Sequence, residues 1–308
     1  MRKLNILKLI DEWGWAYHFV GVEQQRYTRH NIMIQQCQNV NLNGVDILYL
    51  HGPNMKYPNE IYSTVCNARD RNIKIIGGYG GETPNLYPYA NAIATISPQT
   101  YDFAKKNYPY LPKVFLPESI DNNYFVSSKK FNENSFKVGY AGSPVSLKRT
   151  HLFDRLKYPV LMKTDWGKPY FVENRSQESM KEFYESIDVL ILLSRTECMP
   201  RVVLEAMSMG LPVITTKVGC LDMLLDKKYL VDVYPEEEVI RQTNEKLTYL
   251  SKYPNKRKEN GLRNKEYIEK YFSWKVTQPL WDDYFEKVYI GNKQDLIDFP
   301  NYMAQFSN

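Results

Sequence analysis

The sequence predicts an α/β protein made of two open lobes, each a parallel sheet flanked by helices. Three observations carry that expectation. The chain has 308 residues, which exceeds a typical single domain and favours two of roughly 100–200 residues each. Short apolar runs alternate with amphipathic stretches, the pattern of parallel strands joined by helices. The alternation breaks once, at the polar segment Ser127–Asn134, and then restarts.

In the first half, Leu4–Ile10 reads as a strand, followed by a turn at Trp13-Gly14-Trp15 and a helix over Tyr17–Thr28. Asp46–Leu50 is a second strand ending at His51-Gly52-Pro53, and Glu60–Arg71 is helical. Ile73–Ile76 leads into the glycine-rich Gly77–Gly81. Ala92–Ile96 follows, then a helix started by Ser97-Pro98 and reaching Asn107, and a short strand at Val114–Leu116. Beyond the linker, strands are expected at Phe136–Tyr140, Val160–Lys163, Tyr170–Val172, Val189–Leu193 and Val213–Thr215. Helices are expected at Val202–Met209, Glu236–Leu250, Lys256–Tyr271 and Trp274–Val288. The expected domains are 1–130, 131–270, and a final segment 271–308 returning to the first lobe. Open parallel sheets bind ligands at the carboxyl ends of their strands, so a cleft between the lobes is the expected site.

Composition narrows the class. With 43% hydrophobic residues the chain can bury a sizeable core. The net charge of +5 is compatible with nucleotides, a membrane surface or nucleic acid, and selects none of them. The 25 tyrosines fit an AT-rich coding bias as well as any function. Cys37, Cys66, Cys198 and Cys220 show no Cys-x-x-Cys spacing, which argues against a zinc site or a disulfide framework and fits a reducing cytoplasm. The longest strong apolar run, Val189–Leu193, falls far short of the ~20 residues that span a bilayer, and no signal peptide is apparent at the amino terminus.

The chemistry concentrates in Ser194–Gly219. This segment leaves a buried strand, crosses a loop and enters a helix that Gly210 and Pro212 are placed to end. Glu197 lies in the loop and Glu205 one turn inside the helix. A carboxylate accepts both hydroxyl hydrogens of a ribose diol, and a helix N-terminus suits a diphosphate. The same residues also fit a bland reading, in which Arg201 and Glu205 form a surface ion pair and Glu197 decorates a loop.

The paired glutamates, separated by seven residues, resemble the donor-site signature of the retaining glycosyltransferase family 4, glycosyl transferases group 1. The flanking Leu204–Gly219 is similar to that family's helix, turn and strand. Cys198-Met199-Pro200-Arg201 departs from its commoner Gly-Phe-Gly, and because Pro200 lacks an N–H any backbone contact falls to Met199 or Arg201. Lys137–Arg149 resembles the strand and loop that open the second lobe. There Gly142 precedes Ser143, which stands where an arginine is expected, and Lys148 matches the lysine that neutralises the donor diphosphate. Arg149 and Arg201 are candidates for the missing charge.

The resemblance implies the GT-B architecture of two Rossmann-like lobes, with transfer of a sugar from a nucleotide-diphosphate sugar, retention of configuration, and no metal or other cofactor. No Asp-x-Asp motif occurs. It implies that Glu197 orients the sugar. Gly14 and His18 lie where the family carries a glycine-rich loop near the phosphates, and Trp15 is placed to stack on a sugar face, or equally to pack the helix. The family's histidine near the sugar is absent, leaving Tyr79, His51 or His18 in its place. The acceptor stays open between a glycan, a lipid-linked or small molecule, and a modified base of DNA or RNA. Peripheral membrane contact is compatible with either. An enzyme acting on the nucleotide sugar itself and a nucleotide-sugar-binding protein without transfer activity are the remaining alternatives.

Overall fold

The computed structural model describes residues 2–52, 58–79, 84–129, 131–164 and 176–292. The expected strand at Tyr170–Val172, the end of the glycine-rich segment from Gly80, and the carboxyl-terminal tail lie outside them. Chain contacts divide the protein into two units: Met1–Ser119 with Trp274–Asn308, and Ile120–Ser273.

The first unit holds β1 (Asn5–Ile10), β2 (Asn31–Gln36), β3 (Ile47–Leu50), β4 (Lys74–Tyr79), β5 (Ala92–Thr95) and β6 (Lys113–Phe115). They form one sheet in the order β2-β1-β3-β4-β5-β6, with every pairing parallel. Its helices are α1 (Ala16–Tyr27), α2 (Pro58–Asp70), α3 (Pro98–Asn107) and the carboxyl-terminal α9 (Trp274–Tyr289). Side chains alternate across a strand, and both faces of this sheet are covered. Ile6, Ile47 and Ile76 pack with Trp274, Trp281 and Phe285 of α9, whereas Leu7, Leu48 and Ile75 pack with Ile61 and Val65 of α2. Ser97 caps α3 through a capping box with Thr100, and Pro98 supplies the preset φ of a first helical residue. Trp274 Nε1 donates to Glu23 on α1 at 2.8 Å and Asp282 accepts from the Thr28 hydroxyl, so α9 is fixed by polar contacts as well as burial.

The second unit holds β7 (Val138–Ala141), β8 (Val160–Lys163), β9 (Val189–Leu192), β10 (Val213–Thr216) and β11 (Leu230–Val231), again wholly parallel, in the order β11-β10-β9-β7-β8. Its helices are α4 (Gln177–Ser186), α5 (Arg201–Ser208), α6 (Leu221–Leu224), α7 (Glu236–Lys252) and α8 (Pro254–Tyr271). The unit begins at Ile120, ahead of the polar linker. Ile120 N donates to Phe272 O at 3.0 Å and Phe125 O accepts from the Ser208 hydroxyl at 2.7 Å, tying this stretch to the second unit. α5 and α8 meet where Gly261 lies against Gly210; a Cβ on Gly261 would sit 1.9 Å from the Gly210 oxygen. All four cysteines are free thiols. No helix among the described residues is long and apolar enough to cross a membrane.

Candidate active site

In the second unit, the segments that follow β7, β9 and β11 leave the carboxyl edge of a parallel sheet, and Arg149 ties them together. Its backbone is left-handed (φ 53°), which turns the side chain inward, and the residue is completely buried. Nε donates to Leu193 O at 2.6 Å, Nη1 to Val233 O at 2.7 Å and Nη2 to Ser194 O at 3.2 Å. The expectation that Arg149 supplies charge to a ligand is therefore corrected: its donors hold the loop after β9 and the segment after β11. Arg195 N donating to Leu147 O at 2.8 Å closes the same junction.

This clamp sets Lys148, one residue earlier, on the outside. The Lys148 ammonium pairs with the Glu197 carboxylate, their side chains 27% and 9% exposed. Glu197 is held from the other side by Gly219. Cys220 N donates to Cys198 O at 3.0 Å, and at Gly219 (φ +61°) a Cβ would meet the oxygens of Glu197 and Cys198 at 2.4 Å. Only glycine permits that approach without strain.

Glu205 is buried inside α5. Its Oε1 accepts from Arg201 Nε at 2.7 Å and its Oε2 from the Tyr184 hydroxyl at 2.6 Å. The surface-pair reading of Arg201 and Glu205 is thus overturned, since their side chains are 8% and 6% exposed. A buried pair of this kind is strongly destabilised when one partner is lost. The Arg201 guanidinium also lies over Phe125, 6.0 Å from the ring centroid. Met199 is buried, and Pro200 precedes the first residue of α5. Ser143 offers its carbonyl to the Tyr140 hydroxyl at 2.8 Å, and Gly142 (φ +141°) donates its N–H to Lys163 O.

In the first unit the predicted residues separate into two groups. Gly14 (φ 80°) donates its N–H to His18 Nδ1 at 3.0 Å, which leaves the proton of the neutral ring on Nε2, and burial lowers the His18 pKa. Trp13 packs edge-on against His18, and Trp15 is the partly exposed N-cap residue of α1. His51, in contrast, is buried beyond β3. Its Nε2 lies 2.8 Å from Glu118 Oε1 and its ring stacks on Tyr49. Burial first, and the charge of Lys8 second, lower its pKa to about 4. Lys8 is itself sealed beneath, bonded to Gln24 Oε1, and burial lowers its pKa to about 7. Tyr79 ends β4, and its side chain lies outside the described residues. Tyr184 was invisible to sequence reasoning because α4 itself was not read, and Gly219 stood as an ordinary member of the signature with no role assigned.

Residues 159–248 match the family model described as glycosyl transferases group 1. The second unit carries a glycosyltransferase domain. No curated protein matches the sequence. Among solved structures, a glycosyltransferase from Rickettsia africae is 13% identical and superposes with a TM-score of 0.71, covering 95% of this chain and 100% of that one. Sucrose-phosphate synthase from Thermosynechococcus elongatus is 11% identical with a TM-score of 0.70, over 94% of this chain and 100% of that one. Anabaena HepE, solved with UDP-glucose, is 13% identical with a TM-score of 0.65, over 98% and 100% of the two chains. These likenesses place the chain in the GT-B fold. In this glycosyltransferase, the family match covers β8, α4, β9, α5, β10 and most of α7, so it includes Glu197 and Glu205, whereas Lys148 lies before it.

Proposed function

We propose that this glycosyltransferase takes a sugar from a uridine-diphosphate sugar and transfers it, with retained anomeric configuration, to a hydroxyl acceptor. The observation that carries the reading is the Lys148–Glu197 pair at the carboxyl edge of the second sheet, beside the N-terminus of α5. In the resting site each partner neutralises the other. An incoming diphosphate competes for the Lys148 ammonium and frees the Glu197 carboxylate to accept from sugar hydroxyls. The first N–H groups of α5 and its positive dipole end favour the same anion.

As the glycosidic bond breaks, negative charge grows on the departing diphosphate, and a fixed cation placed there lowers the barrier. Glu205 accepts from Tyr184 and Arg201 among the described residues, and a carboxylate, with about four lone-pair positions, can take ribose hydroxyls in exchange for or beside such donors. Uridine is favoured as the base because HepE, which shares the fold, was solved with UDP and with UDP-glucose. On this reading Lys148 does the work of a divalent cation, and initial rates are unchanged by a chelator. The acceptor is assigned to the first unit, at the carboxyl edge of its sheet, where His18 and Trp15 have exposed surface.

The test uses slow donor hydrolysis, which needs no acceptor. UDP-glucose and its common relatives are incubated with the protein, and the released sugar is followed by proton NMR before it mutarotates. Retention predicts that the α-anomer appears first. An initial β-anomer contradicts retention, and failure of every UDP-sugar to be cleaved or to raise the melting temperature contradicts the donor class.

A further inference from the structure

The amino edge of the second sheet carries a pocket that the transfer reaction leaves unused. It occupies about 220 Å³, room for roughly seven water molecules. Ile187 and Asp188 precede β9 and Pro212 precedes β10, while Glu197 follows β9, so the pocket lies at the opposite end of the strands from the donor residues. Phe131, Leu211, Pro212 and Leu262 provide an apolar wall. Among the described lining residues, Lys129, Arg257, Lys258 and Lys265 provide four cations against a single carboxylate, Asp188.

That carboxylate is already satisfied. Asp188 accepts from Lys129 Nζ at 2.8 Å, from the Ser135 hydroxyl at 2.7 Å and from Lys137 N at 2.8 Å. Lys129 is thereby neutralised, and the other three cations stay uncompensated or nearly so. Lys265 lies 3.8 Å from Glu269, a loose and exposed pair, and Lys258 rests over the Phe131 ring. Arg257 is 2% exposed and sandwiched between Phe131 and Phe136. Its Nη2 donates to Asn132 O at 2.9 Å, while Nε and Nη1 find no partner among the described residues. One turn along, Asn260 is also buried, and neither its side-chain oxygen nor its nitrogen finds a partner among the described residues. Buried polar groups are almost always paired, and an unpaired buried cation is costlier still.

We propose that this pocket binds a small phosphate monoester with an apolar body. The phosphate, near two negative charges at neutral pH, meets the Lys258 and Lys265 amines and the field of the buried Arg257. The carbon skeleton lies on Phe131, Pro212 and Leu262. The ester is either a free metabolite or the exposed headgroup of a phosphatidic-acid-like lipid.

Calorimetric titration of the whole chain with phenyl phosphate tests this, with phenol as the uncharged control. The expected result is a Kd below about 1 mM for phenyl phosphate and no binding of phenol. The exposed double variant Lys258→Glu, Lys265→Glu weakens binding at least about tenfold, whereas excess UDP, which occupies the donor site at the other edge, leaves it unchanged. Vesicles of phosphatidylcholine with phosphatidic acid separate the two sources. Co-sedimentation that the double variant abolishes identifies the headgroup, and absence of co-sedimentation beside phenyl phosphate binding identifies a soluble ester. No binding up to about 5 mM, or equal affinity in the double variant, overturns the proposal.

Discussion

The two units place ionisable groups at the carboxyl edges of similar parallel sheets, yet they treat those groups in opposite ways. In the second unit, a buried arginine spends its hydrogen bonds on three carbonyls, and the lysine beside it stays partly exposed, its charge held by Glu197 in a pair that an anion can open. In the first unit Lys8 and His51 are sealed and pushed towards neutrality, and partial burial raises the Asp11 carboxyl to about 6. One edge is built to present charge and the other to suppress it. That difference matches a division in which the anionic donor belongs to the second unit and a neutral hydroxyl acceptor to the first.

The largest effect is expected from breaking the close approach that holds the charged edge. In Gly219→Ala the new methyl collides with the Glu197 and Cys198 oxygens, and the left-handed backbone adds about 1–2 kcal/mol of strain. Donor turnover should fall by more than about a hundredfold, the scale of losing one electrostatic contact in a transition state. Near-normal turnover would mean that the Glu197 loop is not held by this contact. Glu205→Gln comes next. It keeps the volume and one acceptor but leaves Arg201 buried without its counter-charge, so the donor Kd should rise about tenfold and the melting temperature should fall with it. Calorimetry with UDP measures it, and an unchanged Kd would detach Glu205 from the nucleotide.

The smallest effect is a change in stability on the suppressed edge. Asp11 has a folded pKa of about 6 against an ordinary value of 3.8, the main cause being burial. Its carboxylate therefore costs stability, nothing well below pH 3.8 and the full amount above pH 6. Asp11→Asn should gain about 1–2 kcal/mol at pH 7, after allowance for its partial exposure, and nothing near pH 3. Denaturant unfolding at the two pH values measures it. Equal effects at both would show that the Asp11 carboxylate is not penalised by folding.

How much of this was legible in the sequence depended on how each element is buried. β3 and β9 are covered on both faces and read as unbroken apolar runs such as Val189–Leu193, and β1 reads the same way apart from Asn5 and the buried Lys8. The edge strand β2, Asn-Ile-Met-Ile-Gln-Gln, has a single fully buried residue and was not read, and β11 has only two residues. α4 carries just two buried residues among ten and was missed with them. In the candidate site, the spacing of Glu197 and Glu205 is local and could be read directly. The opposite directions of Lys148 and Arg149 could not, because they follow from one left-handed residue whose partners lie 44 to 84 positions away. Tyr184 and Gly219 are placed by distant chain in the same way.

The central claim is that the Lys148 ammonium of the second unit, partly exposed and paired with Glu197, receives the donor diphosphate. Isothermal titration of UDP into the unaltered chain and into Lys148→Ala, with melting temperatures recorded for both, tests it most directly. The account predicts at least about a tenfold loss of affinity with little change in melting temperature, since Lys148 is partly exposed and its removal leaves the Arg149 clamp intact. Equal affinity for UDP in the two proteins would contradict it.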